Sequence, residues 1–90
     1  MNTQAELLNT EGDYSLVSWS GRKFPGLLVQ GDSLSILAET LAEAREELQK
    51  GDADEAQYAV DMALNTARSM LEAYERMMND AGLNLPYSTE

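Results

Sequence analysis

The sequence predicts an α+β fold: a three-stranded antiparallel meander followed by an antiparallel helical hairpin, in the order β-β-β-α-α. Three observations lead there. The first 30 residues are rich in turn formers and β formers, the remainder is almost uninterrupted helix former, and Gly51-Asp52 divides that helical half in two.

Ala5-Glu6-Leu7-Leu8 is the first expected strand, and Thr10-Glu11-Gly12-Asp13 carries the Gly and polar residues of a turn. Tyr14-Ser15-Leu16-Val17-Ser18-Trp19 follows, with the partial alternation of a half-buried strand. After a second turn at Ser20-Gly21-Arg22-Lys23, residues Phe24 to Gln30 form the third strand. Pro25 lacks a ladder donor and Gly26 a side chain, so an edge or a bulge is expected at its start.

The first helix is expected over Ser33 to Lys50, where Leu34, Leu37, Leu41, Ala44 and Leu48 step by three and four along one stripe. Asp32 or Ser33 is the expected N-cap. Gly51 suits a left-handed C′ position, Lys50 complements the negative helix end, and Asp52 can cap a second helix with Asp54 and Glu55 in its first turn. That helix is expected from Ala53 to Ala81, with Ala56, Val60, Ala63, Ala67, Met70, Tyr74 and Met77 as its seam and Gly82 as its stop. At 1.5 Å per residue it outruns its partner by roughly ten residues. The sheet is the natural cover for this overhang, through Leu16, Trp19, Leu27 and Val29 against Met70, Leu71, Tyr74 and Met78. Residues 83–90 form a tail.

Ninety residues suit one domain (1–90) with a small core, and without cysteine neither a disulfide nor a thiolate metal site can reinforce it. Self-association is the expected source of additional stability. The alanines of the seam favour close helix approach, and beside them Tyr58, Met62, Leu64, Leu71 and Met78 make an apolar flank that a lone hairpin cannot bury. The formal net charge of −10 excludes unaided nucleic-acid binding, which requires Lys and Arg against phosphate. Its bland meaning is solubility; its sharper meaning is a basic protein partner facing Glu39, Glu43 and Glu46. The amino terminus has no basic or apolar leader character, no stretch reaches about 20 apolar residues, and a cytoplasmic protein of bacterial type is expected.

Candidate chemistry is sparse. Gly31-Asp32-Ser33-Leu34 after Leu27-Leu28-Val29 stands where a GDSL-class serine hydrolase places its nucleophile, but the chain has no histidine to take the hydroxyl proton. No catalytic residue, metal site or cofactor is therefore expected. The carboxylates of the first helix suit a solvated face, and di-iron ligation needs Glu-x-x-His pairs that this chain lacks. Arg22-Lys23 is an anion site only if the helix start lies beside it, and Asp32 there opposes one. Trp19 is more simply an anchor between sheet and helix than a ligand platform.

The segment Gly21-Arg22-Lys23-Phe24-Pro25-Gly26-Leu27-Leu28-Val29-Gln30-Gly31-Asp32-Ser33-Leu34 resembles the signature of a family of small, functionally uncharacterised bacterial proteins. In these an Arg-x-Phe-Pro-Gly strand leads into Gln-Gly-Asp-Ser-Leu and a helix. Phe24-Pro25-Gly26, Gln30-Gly31-Asp32-Ser33-Leu34 and Ala42-Glu43-Ala44 are also similar to HicB-type antitoxins. That family's fold would place another strand after the helix, where this chain enters a second helix. The resulting expectation is a non-catalytic, homo-oligomeric protein-interaction module, with Glu39, Glu43, Glu46, Met62 and Met78 as partner-binding residues. The alternative is an antitoxin or immunity protein that neutralises a basic toxin.

Overall fold

The computed structural model describes residues 4–89. Three antiparallel strands, β1 (Ala5–Glu11), β2 (Tyr14–Trp19) and β3 (Gly26–Leu28), pair in chain order, and two helices follow, α1 (Gly31–Lys50) and α2 (Ala53–Asp80). The chain divides into two compact units, Met1–Val29 with Met70–Glu90, and Gln30–Ser69.

In the first unit the β1–β2 loop is tighter than expected. Glu11 pairs with Tyr14, so Thr10 and Glu11 belong to the strand and only Gly12-Asp13 turns. Gly12, at φ 57°, occupies the position a two-residue hairpin reserves for glycine. Side chains reinforce the extension: the Thr10 and Ser15 hydroxyls lie 3.0 Å apart, and Arg76 Nε donates to Glu11 Oε1 at 2.8 Å. β3 is an edge strand, one of the two forms expected of it, and the register irregularity lies in β1, between Leu7 and Asn9. β3 shrinks to three residues, and the Pro25 carbonyl beside it accepts the Tyr74 hydroxyl at 2.7 Å.

Leu16, Ala73, Tyr74, Met77 and Met78 are buried together, with Tyr14, Leu27 and Leu85 packed around them. Side chains alternate across a strand, so Leu16 puts one face of β2 on the helix and turns Val17 and Trp19 to the other. Trp19 is therefore not the expected sheet-to-helix anchor. Its indole lies over Gly26, where an added Cβ would come within 2.6 Å of the ring, and the Arg22 guanidinium sits 5.8 Å from the ring centroid. The tail folds back as well. Tyr87 stacks on Tyr74 at 6.4 Å between centroids and donates its hydroxyl to Glu75 at 3.1 Å.

In the second unit, α1 begins two residues before Ser33. Gln30 is the N-cap with no side-chain cap bond, its carbonyl accepting the Leu34 N–H at 3.1 Å, so neither Asp32 nor Ser33 caps the helix. Backbone satisfaction by the Gln30 carbonyl lets the helix start early, and Asp32 remains as first-turn charge at the positive end. At the other end Gly51, at φ 85°, donates to Leu48, and Asp52 donates to Glu47. The Asp52 side chain then accepts the Glu55 N–H at 3.1 Å and caps α2. α2 stops at Asp80, where Gly82 at φ 72° and the Leu83 N–H bond to Met78 close its final turn.

Candidate functional site

The interior of the second unit is made of alanine. Ala44, Ala56, Ala59 and Ala63 are its buried hydrophobic residues, and no larger side chain joins them. Small side chains let two helix backbones approach closely, but they leave the long side chains beside the seam with nothing above them. Leu34, Leu41 and Leu48 are 59, 51 and 62 % exposed, and Val60 and Leu64 are each 42 % exposed. With 100° between successive helical residues these positions fall on one side of the hairpin. There Leu37, Leu41, Val60, Ala63, Leu64 and Ala67 line a shallow groove of about 280 Å³.

The same helix is treated differently at its other end. Positions 64, 71 and 78 repeat every seven residues along α2; Leu64 is 42 % exposed, whereas Met78 is completely buried among Leu16, Tyr74 and Met77. Along this one repeat the apolar face of α2 passes from half bare at Leu64 and Leu71 to fully buried at Met78. Met78 lies in the core and is removed from the expected partner surface. Leu71, expected beneath the sheet, is half exposed.

Of the remaining expected contact residues, Met62 and Tyr58 are exposed on the opposite flank of α2. Glu39, Glu43 and Glu46 are exposed within one stripe of α1. The sequence places Leu34, Leu41 and Leu48 on one helical stripe with Leu37 and Ala44. The strict seven-residue spacing of the first three, opposite a helix whose facing residues are alanine, is the signal that a broader apolar face was present.

A second, polar hollow of about 460 Å³ lies in the first unit, bordered by Gln4, Glu6, Ser18, Trp19, Ser20 and Arg22. The cations of the Arg22-Lys23 pair each lie over an aromatic ring, Arg22 on Trp19 and Lys23 on Phe24 at 5.4 Å. Burial raises the pKa of Tyr74, and burial together with the bond to the Glu75 carboxylate pushes Tyr87 up to about 12. Ser33 lies in the first turn of α1, where its backbone N–H donates to Asp32 at 2.8 Å. Among the described residues no group of three or more Asp or Glu side chains is arranged to hold a metal ion, and no helix is long and apolar enough to cross a membrane.

Residues 1–87 match DUF6959, a family of unknown function. The chain belongs to that family. No curated protein and no solved structure matches it. In this DUF6959 member Leu34, Leu41, Leu48, Val60 and Leu64 leave one face of the α1–α2 hairpin half bare.

Proposed function

We propose that this DUF6959 member is a non-catalytic protein-protein interaction module that works as a homo-oligomer, with the apolar face of the α1–α2 hairpin as its contact surface. The observation that carries this is the pairing of an all-alanine interior with five leucine and valine side chains left 42–62 % exposed on one side. Each such side chain gains on the order of 1 kcal/mol when its remaining surface is covered, taking half of the full burial value. A patch of this kind marks an interface more often than an isolated surface leucine does.

The non-catalytic part rests on composition and position. The chain has no histidine and no cysteine, so Ser33 lacks the imidazole base that serine hydrolysis relies on. Size-exclusion chromatography with light scattering, at low and moderate salt, tests the assembly. A concentration-independent dimer or higher state is expected, and a strict monomer throughout rejects it. An activated ester should show no turnover above background, and turnover abolished by Ser33→Ala would reverse the non-catalytic assignment.

A second reading is an antitoxin or immunity protein that neutralises a basic toxin through Glu39, Glu43 and Glu46. The shared exposure of these carboxylates on α1 supports it, as does the likeness of the Phe24-Pro25-Gly26 and Gln30-Gly31-Asp32-Ser33-Leu34 segments to HicB-type antitoxins. It requires tight binding to a basic protein that weakens steeply as salt rises.

A further inference from the structure

We infer that the C-terminal segment 83–89 is a strap whose docking sets the position of Trp19, and with it the shape of the polar hollow beside Arg22, acting across the sheet through Tyr74 and Pro25. The segment contains no helix or strand. It is held by Leu85, which packs on the buried cluster of Leu16, Tyr74, Met77 and Met78, and by Tyr87, which stacks on Tyr74 and donates its hydroxyl to Glu75. A terminal segment without regular structure is ordered at an entropic cost in every residue. It therefore belongs to the low-stability end of the fold, with a docked and a released state.

Tyr74 is the pivot. Its ring meets Tyr87 at 6.4 Å between centroids and 27° between planes, and its hydroxyl donates to the Pro25 carbonyl at 2.7 Å. When the strap leaves, the ring loses its stacking neighbour, and water reaches the hydroxyl and competes with that carbonyl. Pro25 immediately precedes β3, which is three residues long and begins with Gly26 opposite Val17. The indole of Trp19 lies directly on that backbone, with two ring atoms 2.6 and 2.7 Å from where a Cβ of residue 26 would stand, so a shift of Gly26 moves the ring. The ring carries the Arg22 guanidinium at 5.8 Å, and Trp19 and Arg22 both border the hollow of about 460 Å³. Leu16, part of the cluster under the strap, and Trp19 point to opposite faces of β2. The strap therefore reaches the indole through the sheet backbone and not by lying against it, and the docked and released strap is the two-state element that such coupling requires.

The test is a double-mutant cycle in the full chain, read by the fluorescence of Trp19, the single tryptophan, with circular dichroism to confirm helix content. Tyr87→Ala removes the stack and the bond to Glu75, whereas Tyr74→Phe keeps its ring and removes the bond to Pro25. Each alone should shift the Trp19 emission to longer wavelength and raise its quenching by acrylamide about twofold, and the double variant should go no further than either single one. Tyr87→Phe, which keeps the stacked ring and loses the bond to Glu75, carries the same comparison at smaller amplitude if Tyr87→Ala loses helix content. Trp19 emission and quenching unchanged in folded Tyr87 variants overturns the inference. So does a Tyr87 effect that is undiminished when the Tyr74 hydroxyl is already absent, because the strap would then act on Trp19 by another route or only through general loosening of the core.

Discussion

Gly26 and Trp19 show how one side chain constrains a neighbour. The indole ring occupies the space a β-carbon at position 26 needs, at 2.6 Å, so Gly26→Ala must displace the ring and repack that face of the sheet. A stability loss of about 1–3 kcal/mol is expected, with a shift in the emission maximum of this single tryptophan. Unchanged emission and stability would mean that the ring moves freely. Tyr87 offers a pH test. Its neutral form is favoured in the folded chain, pushed up to about 12 from an ordinary value of 10.0. Its contribution is therefore complete below pH 10 and is lost as pH rises from 10 toward 12. Absorbance titration of the tyrosinates should show a late-ionising group that disappears in Tyr87→Phe, and Tyr87→Phe should flatten the alkaline fall in stability.

Within the elements, the helix ends separate what is local from what is not. Asp52 and Gly51 were legible in the sequence because cap and stop depend on side chains and φ values a few residues apart. Asp52→Ala should cost about 0.5–2 kcal/mol in chemical denaturation, through loss of the bond to the Glu55 N–H. Ser33→Ala should leave stability within about 0.5 kcal/mol, since Ser33 lies inside the helix and caps nothing. A cost for Ser33→Ala equal to that of Asp52→Ala would restore it as a cap. The start of α1 was misplaced because Gln30 carries no capping signature; backbone geometry alone made it the boundary. β1 was likewise drawn too short, since Thr10 and Glu11 look like turn residues until Ser15 and Arg76 are seen to hold them in the strand.

At the scale of the molecule, a chain that leaves so much apolar surface on one helical face gains stability when that face is covered. The melting temperature should therefore rise with protein concentration in wild type, and lose that dependence in Leu41→Glu. A concentration-independent wild-type melt, at concentrations spanning the dimer transition, would contradict coupling between folding and assembly. The sequence by itself determined the element order, the β-β-β-α-α class, the Gly51-Asp52 junction and the absence of histidine and thiol chemistry, because periodicity, turn residues and composition act locally. Only the tertiary structure decided that Met78 is core while Leu64, two heptads earlier on the same helix face, is bare, and that Trp19 turns away from α2. A helical repeat records which residues share a face. It does not record what lies opposite that face at each turn, and burial depends on that.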